Sequence, residues 1–257
     1  MRYYVIPNIN EIDKYLDLAK KYNLGFEYNE FYNPLLLDNK AKLDETINQY
    51  KILGRTNDTL HGVFYDICLD SVDPKIKDVS YLRVKSSMEI AKKLNCKGVI
   101  FHTNYITWMK TKEYRNNWVN VHKEIFLKLI KEYPNIDIYV ENMFDLNPYL
   151  LGELMLSINN KRIGVCLDIA HASISDVELK EWFRVLGNYI KHIHINDNDR
   201  IVDSHQELGL GNLDFEEAFK YINKLPDDTT ILIEISDYEK TVNSINYLKA
   251  GGFNAFE

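Results

Sequence analysis

The chain has 257 residues and a formal charge of −7, with 46% hydrophobic and 27% charged residues. Its eleven glycines and six prolines are too few for a fibrous or low-complexity protein, so the composition predicts one compact globular domain, 1–257, of α/β-barrel size. No acidic tail and no basic block is present, so the charge pattern does not indicate nucleic-acid binding.

Eight short apolar runs alternate along the chain with longer amphipathic segments, which is the pattern of repeated βα units. Most of the short runs are continuously apolar, as buried parallel strands are. The predicted strands are Tyr3–Ile6, Gly25–Phe31, Thr59–Phe64, Gly98–Asn104, Ile136–Asn142, Arg162–Asp168, Ile190–Asn196 and Thr230–Ser236. The predicted helices are Asn10–Tyr22, Asp38–Leu53, Pro74–Leu94, Lys112–Lys131, Asp176–Leu186, Phe215–Asn223 and Asp237–Lys249. Asp176 resembles an N-cap, and Pro74 suits a first helical turn.

Eight consecutive units favour a single closed (β/α)8 barrel, a TIM barrel, over an open doubly wound sheet. No G-x-G-x-x-G motif follows the first strand, which weakens the dinucleotide-binding alternative. In a (β/α)8 barrel the C-terminal ends of the strands converge on one mouth, where active sites lie. We therefore expect polar side chains at those strand ends to form the functional site.

The three cysteines, Cys68, Cys96 and Cys166, are widely spaced and form no C-x-x-C motif. They indicate neither a disulfide framework nor a thiolate zinc site, and they fit a reducing compartment. No secretory leader and no run of about eighteen apolar residues is visible. The sequence therefore predicts a cytoplasmic protein without a membrane partner.

Metal-competent side chains stand at or near the ends of six of the eight predicted strands. A carboxylate or imidazole within an apolar strand is costly unless it is paired or bound to a metal. These residues are His61, His102, Glu141, Asp168, His194 and Glu234. Three further positions extend the set: His171, which follows Asp168 by three residues, and Asp203 and His205 in a D-x-H motif. Carboxylate and imidazole ligands suit zinc, manganese or cobalt.

Other residues near this set have open roles. His192 shares a strand face with His194 and is expected one layer deeper, as a hydrogen-bonded core imidazole. His122, in the middle of a predicted helix, is expected at the surface. Trp108 is a candidate for lining the mouth. Glu30 is a candidate either for shaping the mouth or for a structural role at the end of the second strand.

Seven motifs spread over nearly the whole chain resemble one superfamily. They are Leu60-His-Gly-Val-Phe64, Gly98-Val-Ile-Phe-His102, Tyr139-Val-Glu-Asn142, Gly164-Val-Cys-Leu-Asp-Ile-Ala-His171, His192-Ile-His-Ile-Asn-Asp197, Asp203-Ser-His205 with Gly209-Leu-Gly-Asn-Leu-Asp-Phe215, and Ile231-Leu-Ile-Glu234. Together they resemble the xylose-isomerase-like barrels, which include sugar-phosphate isomerases and epimerases and the apurinic endonuclease IV proteins. The motifs are specific to that superfamily but not to one reaction.

The resemblance to the isomerase and epimerase branch implies a single divalent ion: zinc, manganese, cobalt or magnesium. The implied ligands are Glu141, Asp168, His194 and Glu234. Proton transfer beside a carbonyl needs a metal that stabilises the enediolate, together with a base and an acid. Glu141 and Glu234 would be the catalytic pair. His171 and Arg200 would bind the oxygens of a sugar or sugar-phosphate substrate, Arg200 standing six residues beyond His194 as in the epimerases.

The resemblance to the endonuclease branch implies three zinc ions on nine residues. Counterparts of all nine are present: His61, His102, Glu141, Asp168, His171, His194, Asp203, His205 and Glu234. Closely spaced metals can hydrolyse a phosphate ester, but the chain is short for that group and shows no basic groove. A metal-dependent isomerase or epimerase is therefore the leading prediction, with one to three ions expected.

The alternative is an endonuclease-IV-like zinc phosphoesterase, and only then would nucleic acid be a partner. A non-catalytic metal-binding barrel is a third possibility. Substrate choice is expected to depend on the loops Tyr105–Arg115 and Asn196–Gly211.

Overall fold

The computed structural model describes residues 1–253 and 256. Its strands form a closed barrel in sequence order, and the neighbouring strands pair in parallel. The strands are β1 Arg2–Val5, β2 Gly25–Tyr28, β3 Thr59–His61, β4 Gly98–His102, β5 Asp137–Glu141, β6 Ile163–Asp168, β7 Ile190–Ile195 and β8 Thr230–Ile233. The prediction of a (β/α)8 barrel is confirmed.

Helices lie between the strands and after β8. They are α1 Ile12–Tyr22, α2 Pro34–Asp38, α3 Lys40–Lys51, α4 Pro74–Lys93, α5 Lys112–Glu132, α6 Tyr149–Ile158, α7 Ile169–Ser173, α8 Leu179–Leu186, α9 Phe215–Ile222 and α10 Tyr238–Ala250. None of these helices is both long enough and apolar enough to cross a membrane.

Several helices begin where a side chain accepts a hydrogen bond from the first turn, which satisfies a backbone N–H that the helix itself leaves unpaired. Asp73 accepts from the backbone N of Lys75 at 2.8 Å, and Pro74 follows it as the first helical residue. Pro74 therefore has its predicted position. Asp176 does not cap α8, because that helix begins at Leu179, after Glu178.

Three helices, α2, α6 and α7, were not predicted. Helix α6 buries six of its ten residues and is apolar on most sides, so it lacks the 3.6-residue alternation by which an amphipathic helix is recognised. Helix α7 has five residues and starts directly at the end of β6. Too short to show a period, it could not be separated from the strand in the sequence.

Contacts divide the chain into two compact units. Unit 1 contains residues 1–26, 142–148 and the described residues from 166 onward. Within it β7 pairs with β8, β8 with β1, and β1 with the start of β2. Its core includes the fully buried Tyr4, Tyr15 and Trp182.

Unit 2 contains residues 27–141 and 149–165, and within it β3 pairs with β4 and β4 with β5. Its core includes Tyr28, Trp118 and Phe126. That the chain is one domain stays a prediction.

The expectation that His122 lies at the surface is wrong. This residue is 3% exposed, and its ring stacks on Trp118 at a centroid distance of 4.1 Å. Nδ1 of His122 donates to the carbonyl oxygen of Trp118 at 2.8 Å, one helical turn earlier. Because this hydrogen bond satisfies one ring nitrogen inside the helix, the imidazole can be buried in unit 2.

Candidate metal centre

The first ligand set lies in unit 2 and consists of His61, His102 and Glu141, the last residues of β3, β4 and β5. We call it the strand set. Nε2 of His61 and Nε2 of His102 lie 3.4 Å and 3.5 Å from Oε2 of Glu141, and the two nitrogens lie 3.2 Å apart. Ligand atoms around a tetrahedral zinc ion are about 3.4 Å apart. The three atoms therefore have the spacing of one face of a zinc tetrahedron.

The strand set is buried, and its imidazoles are held in place. Side-chain exposure is 3% for His61 and 0% for Glu141. Nδ1 of His61 donates to the carbonyl oxygen of Gly62 at 3.0 Å, which directs Nε2 toward the other two ligands. The ring of Phe64 stacks on His102 at a centroid distance of 4.7 Å. Such supporting contacts orient metal ligands and fix the tautomer.

The second ligand set lies in unit 1 and consists of His171, Asp203 and His205. We call it the loop set, because Asp203 and His205 lie on the segment between β7 and α9. Nε2 of His171 and Nε2 of His205 lie 3.1 Å and 3.2 Å from Oδ2 of Asp203. Nδ1 of His171 donates to the carbonyl oxygen of Asn142 at 2.8 Å, and Nδ1 of His205 donates to that of Glu234 at 3.2 Å. Both rings therefore turn Nε2 toward Asp203.

Charges in the loop set favour a cation. Burial alone raises the pKa of Asp203, but hydrogen bonds from His171 and His205 outweigh it and hold that pKa well below its usual range. Burial lowers the pKa of His205, yet the hydrogen bond to Asp203 and the charge of Glu234 raise it to about 10. The buried Oδ1 of Asp203 has no hydrogen-bond partner among the described residues. A divalent ion fits a set of two imidazoles and one carboxylate in which a buried carboxylate oxygen accepts no hydrogen bond from the described residues.

The third set, also in unit 1, consists of Asp168, His194 and Glu234, and we call it the β6–β8 set. Their ligand atoms lie within 4.8 Å of one another, and Nδ1 of His194 is 3.4 Å from Oε2 of Glu234. The same carboxylate oxygen is 3.9 Å from Nδ1 of His205, so Glu234 of the β6–β8 set lies next to the loop set. Asn196 donates to it at 3.3 Å and helps to orient it.

His192 is fully buried, and its Nδ1 lies 2.6 Å from the hydroxyl oxygen of Thr230, as expected for a hydrogen-bonded core imidazole. The ligand atoms of Cys166, His192 and His194 also lie within 4.8 Å of one another. Sequence reasoning missed this group, because it sought cysteine ligands only at C-x-x-C spacing.

Arg200 lies on the segment between β7 and α9. Arg200 is exposed and lines a cavity of 330 Å³ together with Ile169, Ser173 and Lys180. None of the nine metal-competent residues is among the described residues that line this cavity. The role of Arg200 in substrate binding stays a prediction.

The two candidates for the mouth also differ from each other. Trp108 lies between β4 and α5 and is 89% exposed. Glu30 lies beyond the end of β2, in a short 3-10 helix, and accepts a hydrogen bond from the hydroxyl group of Tyr50. Burial raises the pKa of Glu30. The hydrogen bond favours the structural role for Glu30, which lies two residues after the end of β2 and not within the strand.

Comparison with known proteins adds a family and several relatives. A family model described as xylose isomerase-like TIM barrel matches residues 16–251. An uncharacterized protein of Methanocaldococcus jannaschii, MJ1311, is 27% identical over 201 residues, which cover 74% of this chain and 68% of that protein. Apurinic-apyrimidinic endonuclease 1 of Plasmodium berghei is 26% identical over 228 residues, 79% of this chain but only 44% of the endonuclease.

Solved structures share the fold. A D-tagatose 3-epimerase-like protein is similar with a TM-score of 0.78 and 22% identity, covering 97% of this chain and 96% of that chain. The TTHB071 protein of Thermus thermophilus, soaked with zinc chloride, is similar with a TM-score of 0.77 and 21% identity, covering 98% of both chains.

Proposed function

Because the chain belongs to the xylose isomerase-like TIM barrel family, we propose that it is an enzyme with a multinuclear metal site that hydrolyses phosphate esters. The observation that carries this proposal is the presence of two ligand sets in unit 1, with Oε2 of Glu234 3.4 Å from Nδ1 of His194 and 3.9 Å from Nδ1 of His205. A one-ion site with Glu141, Asp168, His194 and Glu234 as ligands would give no metal to His61 and His102 of the strand set or to Asp203 and His205 of the loop set. Binding of more than one ion gives a role to the ligand sets of each unit, so the order of the two sequence-based candidates is reversed.

When bound, neighbouring zinc ions supply a water activated at neutral pH and a counter-charge for the leaving oxygen. The residues of this chain would hold these ions and orient the ligand atoms. Asp203 and Glu234 offer carboxylate oxygens to the loop set and the β6–β8 set. His171 and His205 keep Nε2 directed toward Asp203 because backbone carbonyls accept their Nδ1 protons. In the strand set, Glu141 provides the carboxylate.

The proposed substrates are small phosphate esters. The formal charge of −7 and the absence of a basic block from the sequence disfavour a long polyanion, because affinity for nucleic acid depends on neutralising phosphates with Lys and Arg. The chain also spans less than half of the Plasmodium endonuclease that it matches. Cleavage of DNA duplexes that contain an abasic site is the alternative activity, and the experiment described next tests it as well.

The test is hydrolysis of bis(p-nitrophenyl) phosphate, and of an oligonucleotide duplex with one abasic site, by zinc-loaded protein. His61→Asn and His205→Asn should each lose bound zinc and activity together, because each removes a ligand from one set. His122→Gln serves as a histidine control that touches no ligand set and should retain both. Full activity in the His61 and His205 variants would reject the proposal.

The second candidate is a metal-dependent isomerase or epimerase of sugars or sugar phosphates. It is favoured by the orientation of Glu234, whose carboxylate is held by Asn196 at 3.3 Å beside His194, as a proton-transferring group requires. Resemblance supplies Glu141 as its partner. If this candidate is correct, Glu141→Gln and Glu234→Gln should each abolish exchange of a substrate proton with deuterated solvent, and retained exchange in both would exclude it.

A further inference from the structure

We infer that Asp197 is the positioning residue that holds Asp203 and His205 in place, and that it thereby sets how many metal ions the site binds. Asp197 is fully buried and follows β7 by two residues. The inference rests on the proposed metal site but not on the reaction that the site performs. Asp197 belongs to none of the ligand sets. It would affect metal binding only by holding the backbone of the loop set in position.

The carboxylate of Asp197 accepts hydrogen bonds from backbone N–H groups on both sides of the D-x-H motif. Oδ1 accepts from Asn198 at 2.9 Å and from Leu213 at 3.1 Å. Oδ2 accepts from Gly209 and Gly211, both at 2.9 Å. A charged acceptor with several backbone donors forms stronger hydrogen bonds than a neutral one. The side chain of Asp197 therefore holds the two ends of the segment 198–213 together by hydrogen bonds.

The backbone of Asp197 fixes the neighbour of the metal ligand directly. Asp197 N donates to the carbonyl oxygen of Gln206 at 2.9 Å, and Gln206 N donates to that of Asp197 at 2.7 Å. His205, adjacent to Gln206, has a φ of +43°, which is an uncommon conformation for a residue other than glycine. A strained ligand position persists only when its surroundings over-determine it, and the paired Asp197 and Gln206 supply that constraint.

The two glycines of the loop are explained by Asp197 rather than by a ligand. A Cβ on Gly211 would lie 2.3 Å from Oδ1 of Asp197 and 2.3 Å from the carbonyl oxygen of Asn198. Gly209 has a φ of +86°, a conformation that glycine adopts readily. Both glycines let the backbone approach the buried carboxylate of Asp197, to which their N–H groups donate at 2.9 Å.

The neighbouring aspartates do different work and provide matched controls. Asp214 caps α9 by accepting from the backbone N of Glu217 at 2.8 Å. Asp199 accepts from the backbone N of Ile201 and of Val202, both at 2.8 Å, within its own turn. In these hydrogen bonds neither carboxylate bridges the two sides of the D-x-H motif, so removal of the Asp214 cap should cost stability without changing the metal count.

The experiment compares zinc stoichiometry and zinc affinity of the full chain in the wild type, Asp197→Asn, Gly211→Ala and Asp214→Asn. Asp197→Asn keeps the size of the side chain but removes its charge and one acceptor oxygen. Gly211→Ala keeps the residue Asp197 but pushes its carboxylate away, because the added Cβ would lie 2.3 Å from Oδ1. We expect both variants to bind one ion fewer, or to bind the weakest ion 10 to about 100-fold less tightly, as when supporting residues of a metal site are lost. Asp214→Asn should match the wild type.

Far-UV circular dichroism and thermal unfolding of each variant accompany the titration. Wild-type stoichiometry and affinity in a folded Asp197→Asn or Gly211→Ala protein would overturn the inference. Failure of both variants to fold would also overturn it, since it assigns Asp197 to the loop and not to the barrel. A wild type that binds no zinc would instead refute the proposed metal site, which keeps the two failures distinguishable.

Discussion

The strand set and the loop set use the same chemistry, two imidazoles and a carboxylate, but they are built differently. His61, His102 and Glu141 are the last residues of three paired strands, so sheet hydrogen bonds position their backbones. Asp203 and His205 lie on a segment without helix or strand, and side chains in that segment supply the constraint. Exposure follows this difference, because the side chain of His205 is 41% exposed and that of His61 is 3%.

The comparison teaches where rigidity comes from. A ligand on a paired strand is pre-organised by backbone hydrogen bonds that form whether or not a metal binds, and sites on strands are more precise than sites on loops. A ligand on a loop requires a second layer of contacts. We therefore expect the geometry of the loop set to adjust more readily than that of the strand set.

The largest expected effect comes from the residue that touches both sets of unit 1. Glu234→Ala removes the carboxylate near His194 and His205 and leaves those imidazoles without it. We expect zinc affinity to fall by more than about 100-fold, since loss of a direct ligand exceeds loss of a supporting contact. Isothermal titration with zinc measures this. A fall in affinity for only one of the ions would contradict a role for Glu234 in both ligand sets of unit 1.

The next effect concerns pH and applies to the loop set. In the metal-free protein the pKa of His205 is raised to about 10, so its ring is protonated at neutral pH and an ion must displace a proton. Zinc affinity should therefore rise by about tenfold per pH unit between pH 7 and 9. Titrations in buffers of different ionisation enthalpy should report proton release, and His205→Asn should release less. Equal release in both proteins would contradict this assignment.

A smaller effect separates structural from metal-binding histidines. Burial lowers the pKa of His122 to about 4, although its hydrogen bond to Trp118 acts in the opposite direction. Between pH 6.5 and 4 the unfolded chain therefore binds more protons at this residue than the folded chain does. Its contribution to stability is complete above pH 6.5 and is lost as the pH falls through this window, by about 3 kcal/mol in all.

His122→Gln should flatten the dependence of the free energy of unfolding on pH in that window while leaving the zinc count unchanged. Denaturant unfolding at a series of pH values measures the first outcome, and elemental analysis measures the second. If the variant lost zinc, His122 would belong to the metal centre and the distinction would fail.

Sequence reasoning located all eight strands because buried parallel strands are continuously apolar and short. It identified six of the nine metal-competent residues because carboxylates and imidazoles within apolar strands are costly without a partner. The other three, His171, Asp203 and His205, came from motif spacing. What it missed depends on contacts that the residue pattern does not show. The burial of His122 depends on a hydrogen bond within α5, and the role of Asp197 depends on backbone donors up to 16 residues away. Arg200 was chosen by its spacing from His194, and its role in substrate binding stays a prediction.

The central claim is that the nine residues hold more than one ion, and elemental analysis by plasma mass spectrometry of gently purified protein measures this directly. The proposed multinuclear site predicts at least two zinc ions per chain in the wild type. The double variant Asp203→Asn/His205→Asn should contain fewer, with the strand set intact. A single manganese, cobalt or magnesium ion per chain, unchanged in the double variant, would contradict the claim and favour the isomerase or epimerase.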